Sequence, residues 1–265
     1  MPFKHVPAKH FMVKSGLGDF ACNPYVGCTH GCLYCYARFM GDYAERPEPW
    51  GTYVDVKDYP DYDIPRNTGE KTLMFSSVTD AWQPAEKTVR RTREILENVC
   101  ESNLHFSFLT KSALILRDLD LFQKMKHVEV GFSVALDDEA SSVLEPGANR
   151  PSERLAALRE LKAQGIRTFV FVAPILPEVT DVFGILEAIG DAADFVMFDG
   201  LSLKHAENRA NIFKFIWNRH PSLLPLYREI FEEGNRSYYD QLAEKIRARG
   251  EAAGRDYRPF FGKGK

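Results

Sequence analysis

From about residue 19 to residue 219 the chain alternates short runs of apolar and β-branched residues with amphipathic stretches of helical period. The strand-like runs fall near 19–25, 72–77, 104–110, 128–134, 167–173 and 194–199. Helical patterns fill about 84–101, 113–124, 151–164, 180–191 and 205–219. The stretch 151–164 shows the local logic. Pro151 suits a first helical position, Leu155, Leu158 and Leu161 recur at three-residue spacing, and Gly165 follows the last turn. Strands alternating with helices of this length imply parallel βαβ units, because parallel neighbours need a crossover. Right-handed crossovers wind such units into a barrel or into an open doubly wound sheet, and the pattern alone leaves both open. Six units are too few for a complete eight-stranded barrel.

Two regions break the rhythm. Residues 45–70 mix prolines with aromatics and acids and read as a long surface excursion. Residues 220–265 are helical in pattern around 223–233 and 237–250 and end in the basic, aromatic tail YRPFFGKGK. Either is long enough to cover an active-site mouth.

Composition narrows the class. Of 265 residues, 45% are hydrophobic and 27% charged, which excludes a disordered or collagen-like chain. With 34 Lys and Arg against 37 Asp and Glu, there is no general charge for gripping phosphates. No apolar run approaches the roughly 18 residues of a membrane span, and MPFKHVPAKHFMV lacks a secretory core. A soluble, cytoplasmic protein with no membrane partner is expected.

Cysteine placement is more specific. Of five cysteines, Cys28, Cys32 and Cys35 form a C-x3-C-x2-C pattern directly after the first strand, while Cys22 and Cys100 stand apart. Three thiolates on one tight loop can hold three corners of an iron–sulfur cubane and leave the fourth iron open to a cofactor or substrate. Gly27 and Gly31 allow the backbone to wrap a bulky group. The same thiols would suit zinc if His30, Cys22 or a distant His supplied a fourth ligand. A disulfide would leave one thiol over. The histidines add no second site, since His5, His10, His105, His127, His205 and His220 are scattered. No H-E-x-x-H, P-loop or G-x-G-x-x-G pattern is present.

The stretch CNPYVGCTHGCLYCYAR resembles the radical S-adenosylmethionine (SAM) enzymes, and within them the spore photoproduct lyase-like branch. SVTDAWQPAE at 77–86, LTKSALILRDLDL at 109–121, the stretch from Glu145-Pro146 to Arg154, and GI-x-T-F-V-F-V-A-P-I-L-P at 165–177 follow in the family's order. The resemblance covers roughly 19–200. It implies a partial (β/α)6 barrel, open on one side, in a single domain over 1–265. Residues 201–265 would form a helical C-terminal extension that covers or flanks the barrel.

It also implies cofactors and roles. Cys28, Cys32 and Cys35 match the ligands of a [4Fe-4S] cluster whose unique iron takes S-adenosyl-L-methionine. One-electron reduction, by a donor such as flavodoxin or ferredoxin, would cleave SAM to methionine and a 5′-deoxyadenosyl radical that abstracts hydrogen from an unidentified substrate. Tyr34 would pack near the adenine, and Tyr36 matches a tyrosine near the family's site. Thr79 and Asp80 match the segment at the methionine amine and ribose. Lys111, Ser133 and Arg154 match or suit positions around the SAM carboxylate and ribose. From the fold alone, Ser77–Asp80, Thr110–Lys111 and Ser133 sit at strand carboxyl ends, where parallel α/β folds bind ligands.

One position departs from the family. The DNA-repairing lyases carry a hydrogen-donor cysteine three residues before this Asp, and Ser77 stands there. A hydroxyl is far harder to break homolytically than a thiol, so Cys22, and more remotely Cys100, become donor candidates beside Tyr36. Three functions therefore compete. The first is a radical SAM enzyme, of lyase or transferase class, on an unidentified substrate. The second is a nucleic-acid repair or modification lyase, which the acidic balance and short length disfavour. The third is a non-catalytic Fe–S or zinc-binding protein.

Overall fold

The structure is a computed structural model and describes residues 3–16, 18–40, 46–65 and 68–261. Its strands are β1 (Lys4–Pro7), β2 (Val13–Lys14), β3 (Phe20–Cys22), β4 (Tyr25–Val26), β5 (Asp55–Asp58), β6 (Thr72–Phe75), β7 (His105–Thr110), β8 (His127–Ser133), β9 (Arg167–Ile175), β10 (Phe195–Gly200) and β11 (Tyr257–Pro259). The helices are α1 (Glu86–Val89), α2 (Arg91–Val99), α3 (Leu119–Phe122), α4 (Asp138–Leu144), α5 (Pro151–Ala163), α6 (Val182–Ile189), α7 (Ala206–Arg219), α8 (Leu224–Phe231) and α9 (Ser237–Ala253).

All six expected strands enter one sheet in the order β3-β6-β7-β8-β9-β10, each parallel to the next. A doubly wound sheet reverses its winding at a central strand. Here spatial order follows chain order, so the crossovers all move one way. β11 extends the sheet in parallel beyond β10, and β2 adds an antiparallel edge beside β3. Among the described residues these two end strands do not pair, so the barrel is partial.

Alternation along the strands separates two faces. Phe75, Phe108, Phe132 and Val172 are fully buried, in one core with Ile95 and Leu96 of α2, Leu158 and Leu161 of α5, and Ile246 of α9. Each such aliphatic side chain stabilises the fold by roughly 1.5–3 kcal/mol. The intervening Leu109, Ser133, Phe171 and Asp199 face the hollow of the barrel. α5 forms as its sequence implies. Pro151 begins it, the Glu153 carboxylate accepts from Arg150 N at 2.7 Å, and Gly165 follows with φ +77°.

Several expectations change in detail. The single strand at 19–25 is two: β3 joins the main sheet, whereas β4 pairs antiparallel with β5 in a three-stranded sheet β1-β5-β4. Pro24 lies at the break, where its missing N–H interrupts the ladder and its carbonyl accepts from Lys57 N. The 45–70 stretch is therefore no simple surface loop, because Val54 and Val56 are buried with Tyr25; residues 45, 66 and 67 lie outside the described residues. The helix at 84–101 divides at Arg90, φ +60°. There the buried Glu86 carboxylate accepts from Thr92 N and Arg93 N and caps α2. The tail is partly structured: α9 is followed by β11, while 262–265 lie outside the described residues.

Candidate functional site

The chain leaves β4 through Gly27, at φ +87°, where a Cβ would lie 2.5 Å from the Tyr53 carbonyl oxygen. Only glycine passes that point without strain. Two tight turns follow, Gly31 N donating to Cys28 O and Cys35 N to Cys32 O, with Gly31 itself at φ +60°. They bring Cys28, Cys32 and Cys35 to the wall of one cavity of about 280 Å³ at the carboxyl ends of the main strands.

A ring of polar groups, from the fully buried Gln83 to the exposed Tyr36, clamps this loop. Gln83, fully buried, accepts from Thr29 N at 2.9 Å and donates to Gly27 O at 3.2 Å. Thr79 Oγ1 donates to the same Gly27 carbonyl at 2.6 Å. The Asn23 side chain donates to Ser77 Oγ and accepts from Val78 N, and Tyr36 OH donates to Ser77 O at 2.5 Å. Gly147 N meets His30 O, and Leu33 N meets Leu144 O.

Asp80 is engaged on every side. It accepts from Thr110 Oγ1 at 2.7 Å, Lys111 N at 2.9 Å and Trp82 N at 2.9 Å, and faces His30 Nδ1 at 3.4 Å. It thereby locks β7's end to the loop after β6, although it still lines the cavity. Burial drives the His30 pKa down against the pull of Asp80, so the imidazole is neutral.

A second buried network lies behind the cysteines. Glu145 accepts from Tyr34 OH, Ser141 Oγ and Arg154 Nη2, and Lys111 Nζ stands 4.0 Å away. Burial by itself would raise the Glu145 carboxyl, but Arg154 and Lys111 outweigh it and hold the pKa below the usual value. Burial likewise works against the Lys111 ammonium, yet Cys32 and Glu145 raise its pKa. Lys111 therefore stays charged.

The sequence-derived candidates divide accordingly. Cys28, Cys32, Cys35, Tyr34, Tyr36, Ser77, Thr79, Asp80, Lys111 and Ser133 all line the cavity. Arg154 does not. Fully buried, it gives its guanidinium to Asn149 O, Ser133 O and Glu145, which leaves it bracing the wall from behind. Cys22 also stays away, 0% exposed in the main core with Phe11 and Phe75, and Cys100 is buried in the same core. His30, offered by the sequence only as a fourth zinc ligand, lines the cavity and faces Asp80, and sequence reasoning gave no site role to Gln83, Glu145, Trp50, Asp199 or Ser202. Gln83 and Glu145 lie inside the matched stretches, and Asp199 ends the final strand, so their positions carried a signal. Trp50 lines the cavity from the 45–70 stretch, which does reach the mouth.

The donor set suits a cubane cluster. Three thiols share the wall, and the nearest histidine, His30, is directed to Asp80. Among the described residues no three His, Cys, Asp or Glu side chains gather around a single-ion position. Three thiols with no fourth protein ligand beside them match the chemistry of a cubane with one open iron better than a closed tetrahedral zinc site. Burial pushes the Cys28 and Cys35 thiols up, and Cys32 up to about 12. They become thiolates only against a strong local positive charge, which iron provides.

Comparison with known proteins agrees with this geometry. Residues 22–183 match the model of the radical SAM superfamily. An uncharacterized protein of Methanocaldococcus jannaschii is 37% identical over 187 residues, 70% of this chain and 71% of that one. One of Mycobacterium tuberculosis is 30% identical over 258 residues, 86% of this chain and 72% of its own length. Spore photoproduct lyase complexed with dinucleoside spore photoproduct superposes with a TM-score of 0.66 at 16% identity, covering 97% of this chain and 82% of the lyase. No helix of the described residues is long and apolar enough to cross a membrane.

Proposed function

Because the chain belongs to the radical SAM superfamily, we propose that Cys28, Cys32 and Cys35 hold a [4Fe-4S] cluster and that the adjoining cavity binds S-adenosyl-L-methionine beside a substrate. When bound, the pair supplies one-electron cleavage of SAM to a 5′-deoxyadenosyl radical, which takes a hydrogen atom from the substrate. The observation that carries this reading is three thiols sharing one cavity with Lys111, the single cation among the described lining residues.

Each neighbouring group has a task toward those ligands. Lys111 Nζ is held at the wall by Glu145 and over the Tyr34 ring at 5.8 Å, and it receives the SAM carboxylate. Ser133 at the end of β8 and Ser77 just after β6 offer hydroxyls for the amine and ribose, while Thr79 lines the same wall with its hydroxyl bracing Gly27 O. Asp80 keeps the backbone of Lys111 in register. Arg154 fixes the Ser133 carbonyl and Glu145, a positioning role. Leu109, Phe171 and Leu201 supply an apolar wall that excludes water from a radical. Tyr36, 52% exposed beside Cys35, is the catalytic candidate at the mouth, because its phenol lies where substrate would enter. Cys22 is too deeply placed in the core to serve as a hydrogen donor.

The test is anaerobic reconstitution with iron and sulfide, reduction by dithionite, and measurement of 5′-deoxyadenosine. SAM-dependent release from wild type is expected; intact SAM in the presence of a full cluster would refute the reading. A narrower version, action on a nucleic-acid lesion, draws on the fold shared with spore photoproduct lyase. It requires salt-dependent binding of an oligonucleotide, and no binding at low salt would remove it.

A further inference from the structure

Charge is unevenly placed around the cavity. Thr110 pairs with Phe132, Ser133 with Phe171, and Phe171 with Met197, so Lys111 stands level with Ser133 on β8 and Met197 on β10. Asp199 lies on β10, two residues beyond that level. Three strand intervals separate it from Lys111, roughly 14 Å along the curved sheet, and two residues carry it about 6 Å further toward the open end. The cavity thus has a cation deep on its β7 side and a carboxylate nearer the mouth on its β10 side.

Asp199 is held in place. Its Oδ1 accepts from Gly200 N at 2.8 Å. Behind it, Tyr239 OH of α9 donates to Ile175 O at 2.9 Å and accepts from Leu201 N at 3.1 Å, which ties the ends of β9 and β10 together. The Tyr239 ring occupies the place of any side chain at 200, where a Cβ would lie 2.9 Å from it. Aromatic surface reaches the same mouth from the cysteine side. Trp50 precedes Gly51, at φ +93°, whose Cβ would lie 2.8 Å from Gly31 Cα. That glycine contact presses the tryptophan segment onto the cysteine loop, where Tyr36 follows the last thiol.

A substrate entering here meets a carboxylate, two aromatic side chains and the Ser202 hydroxyl. Among the described lining residues it meets no cation besides Lys111, which the radical SAM reading gives to the SAM carboxylate. Asp80 also lines the cavity, but it accepts from Thr110 Oγ1, Lys111 N and Trp82 N and serves the wall. This is the chemistry of a cation site and not of a phosphate site. We propose that the mouth binds its substrate through a protonated amine, which Asp199 receives as an ion pair while Trp50 and Tyr36 offer aromatic surface to the same charge. The proposal rests on the radical SAM reading for the place of SAM, and the two fail in different experiments.

The probes are phenethylamine, phenethyl alcohol and hydrocinnamate, which share one phenethyl body and differ in the charge of the end group. Their binding to the reconstituted protein, with and without SAM, is measured by isothermal titration calorimetry. Wild type should bind the amine at least about tenfold more tightly than the alcohol, and hydrocinnamate most weakly. Asp199→Asn, which keeps the side-chain shape, should bring the amine down to the level of the alcohol, and Asp199→Glu should keep a preference for the amine. Trp50→Ala should lower the amine affinity more than the alcohol affinity. SAM affinity should stay within about twofold of wild type in Asp199→Asn, since the nearer charge to SAM is Lys111. A wild type without preference for the amine, or a preference that survives Asp199→Asn, overturns the proposal. So does a loss of SAM affinity in Asp199→Asn with the amine preference unchanged, which would give the carboxylate to the cationic groups of SAM itself. Intact SAM after reduction of wild type refutes the radical SAM reading, whereas the amine titration is read without turnover.

Discussion

Cys22 and Cys28 lie six residues apart and are both buried, yet they have opposite surroundings. Cys22 ends β3 with its side chain among core aromatics, and its carbonyl is tied to Ser76 N. Cys28 sits past the Gly27 turn, on a cavity wall with two further thiols. Burial pushes both thiols up, so neither is reactive by itself. The difference lies in company: a buried thiol becomes a ligand site when others share its wall and a charged group can be balanced there. Cys100 belongs with Cys22, packed as a small apolar side chain.

Three changes would break or sharpen that contrast. The largest effect is expected from Cys28→Ala, Cys32→Ala or Cys35→Ala, each of which should abolish cluster iron and the cluster's visible absorbance after reconstitution and reduce SAM cleavage to background. Cluster retention in any of them would mean that the loop does not hold it. Next comes Glu145→Gln, which removes the countercharge of the fully buried Arg154 and should cost about 3–5 kcal/mol by denaturant titration. Its pH behaviour has a definite sign. The folded Glu145 pKa lies below the ordinary glutamate value of about 4.3, so its contribution is complete above that range and is lost as pH falls through the lower folded value. The variant's stability should therefore fall less steeply in acid than that of wild type. The smallest effect is expected from Cys22→Ala, about 1–2 kcal/mol of stability with iron content and SAM cleavage unchanged. Loss of cluster iron from a folded Cys22→Ala protein would show instead that Cys22 takes part in the cysteine site.

How far the site could be read in advance depended on the kind of contact involved. The cysteine loop, Ser77, Thr79, Lys111 and Ser133 were legible because the cysteine spacing is local and strand carboxyl ends are where parallel folds leave open backbone. Arg154 was legible as important but not as what it does. Its partners Ser133 and Glu145 come from a strand and a helix end that meet only in the folded chain. The same applies to Asn208, whose bonds to Tyr34 and Cys35 span more than 170 residues. The split of 19–25 into two sheets depended on a partner strand, β5, inside a stretch whose prolines and acids hid it.

The amino-acid sequence by itself determined the βα grammar, the number of repeating units, the cysteine triangle and the glycines that let it wrap, because periodicity, capping and turn chemistry act over a few residues. The tertiary structure alone decided the direction of winding, the opening between the edge strands, which thiols share a cavity, and which charged groups come to its wall. Those outcomes require segments far apart in the chain to be buried against one another. Burial changes what a thiol, a carboxylate or an ammonium is worth by removing the water that would otherwise make them alike.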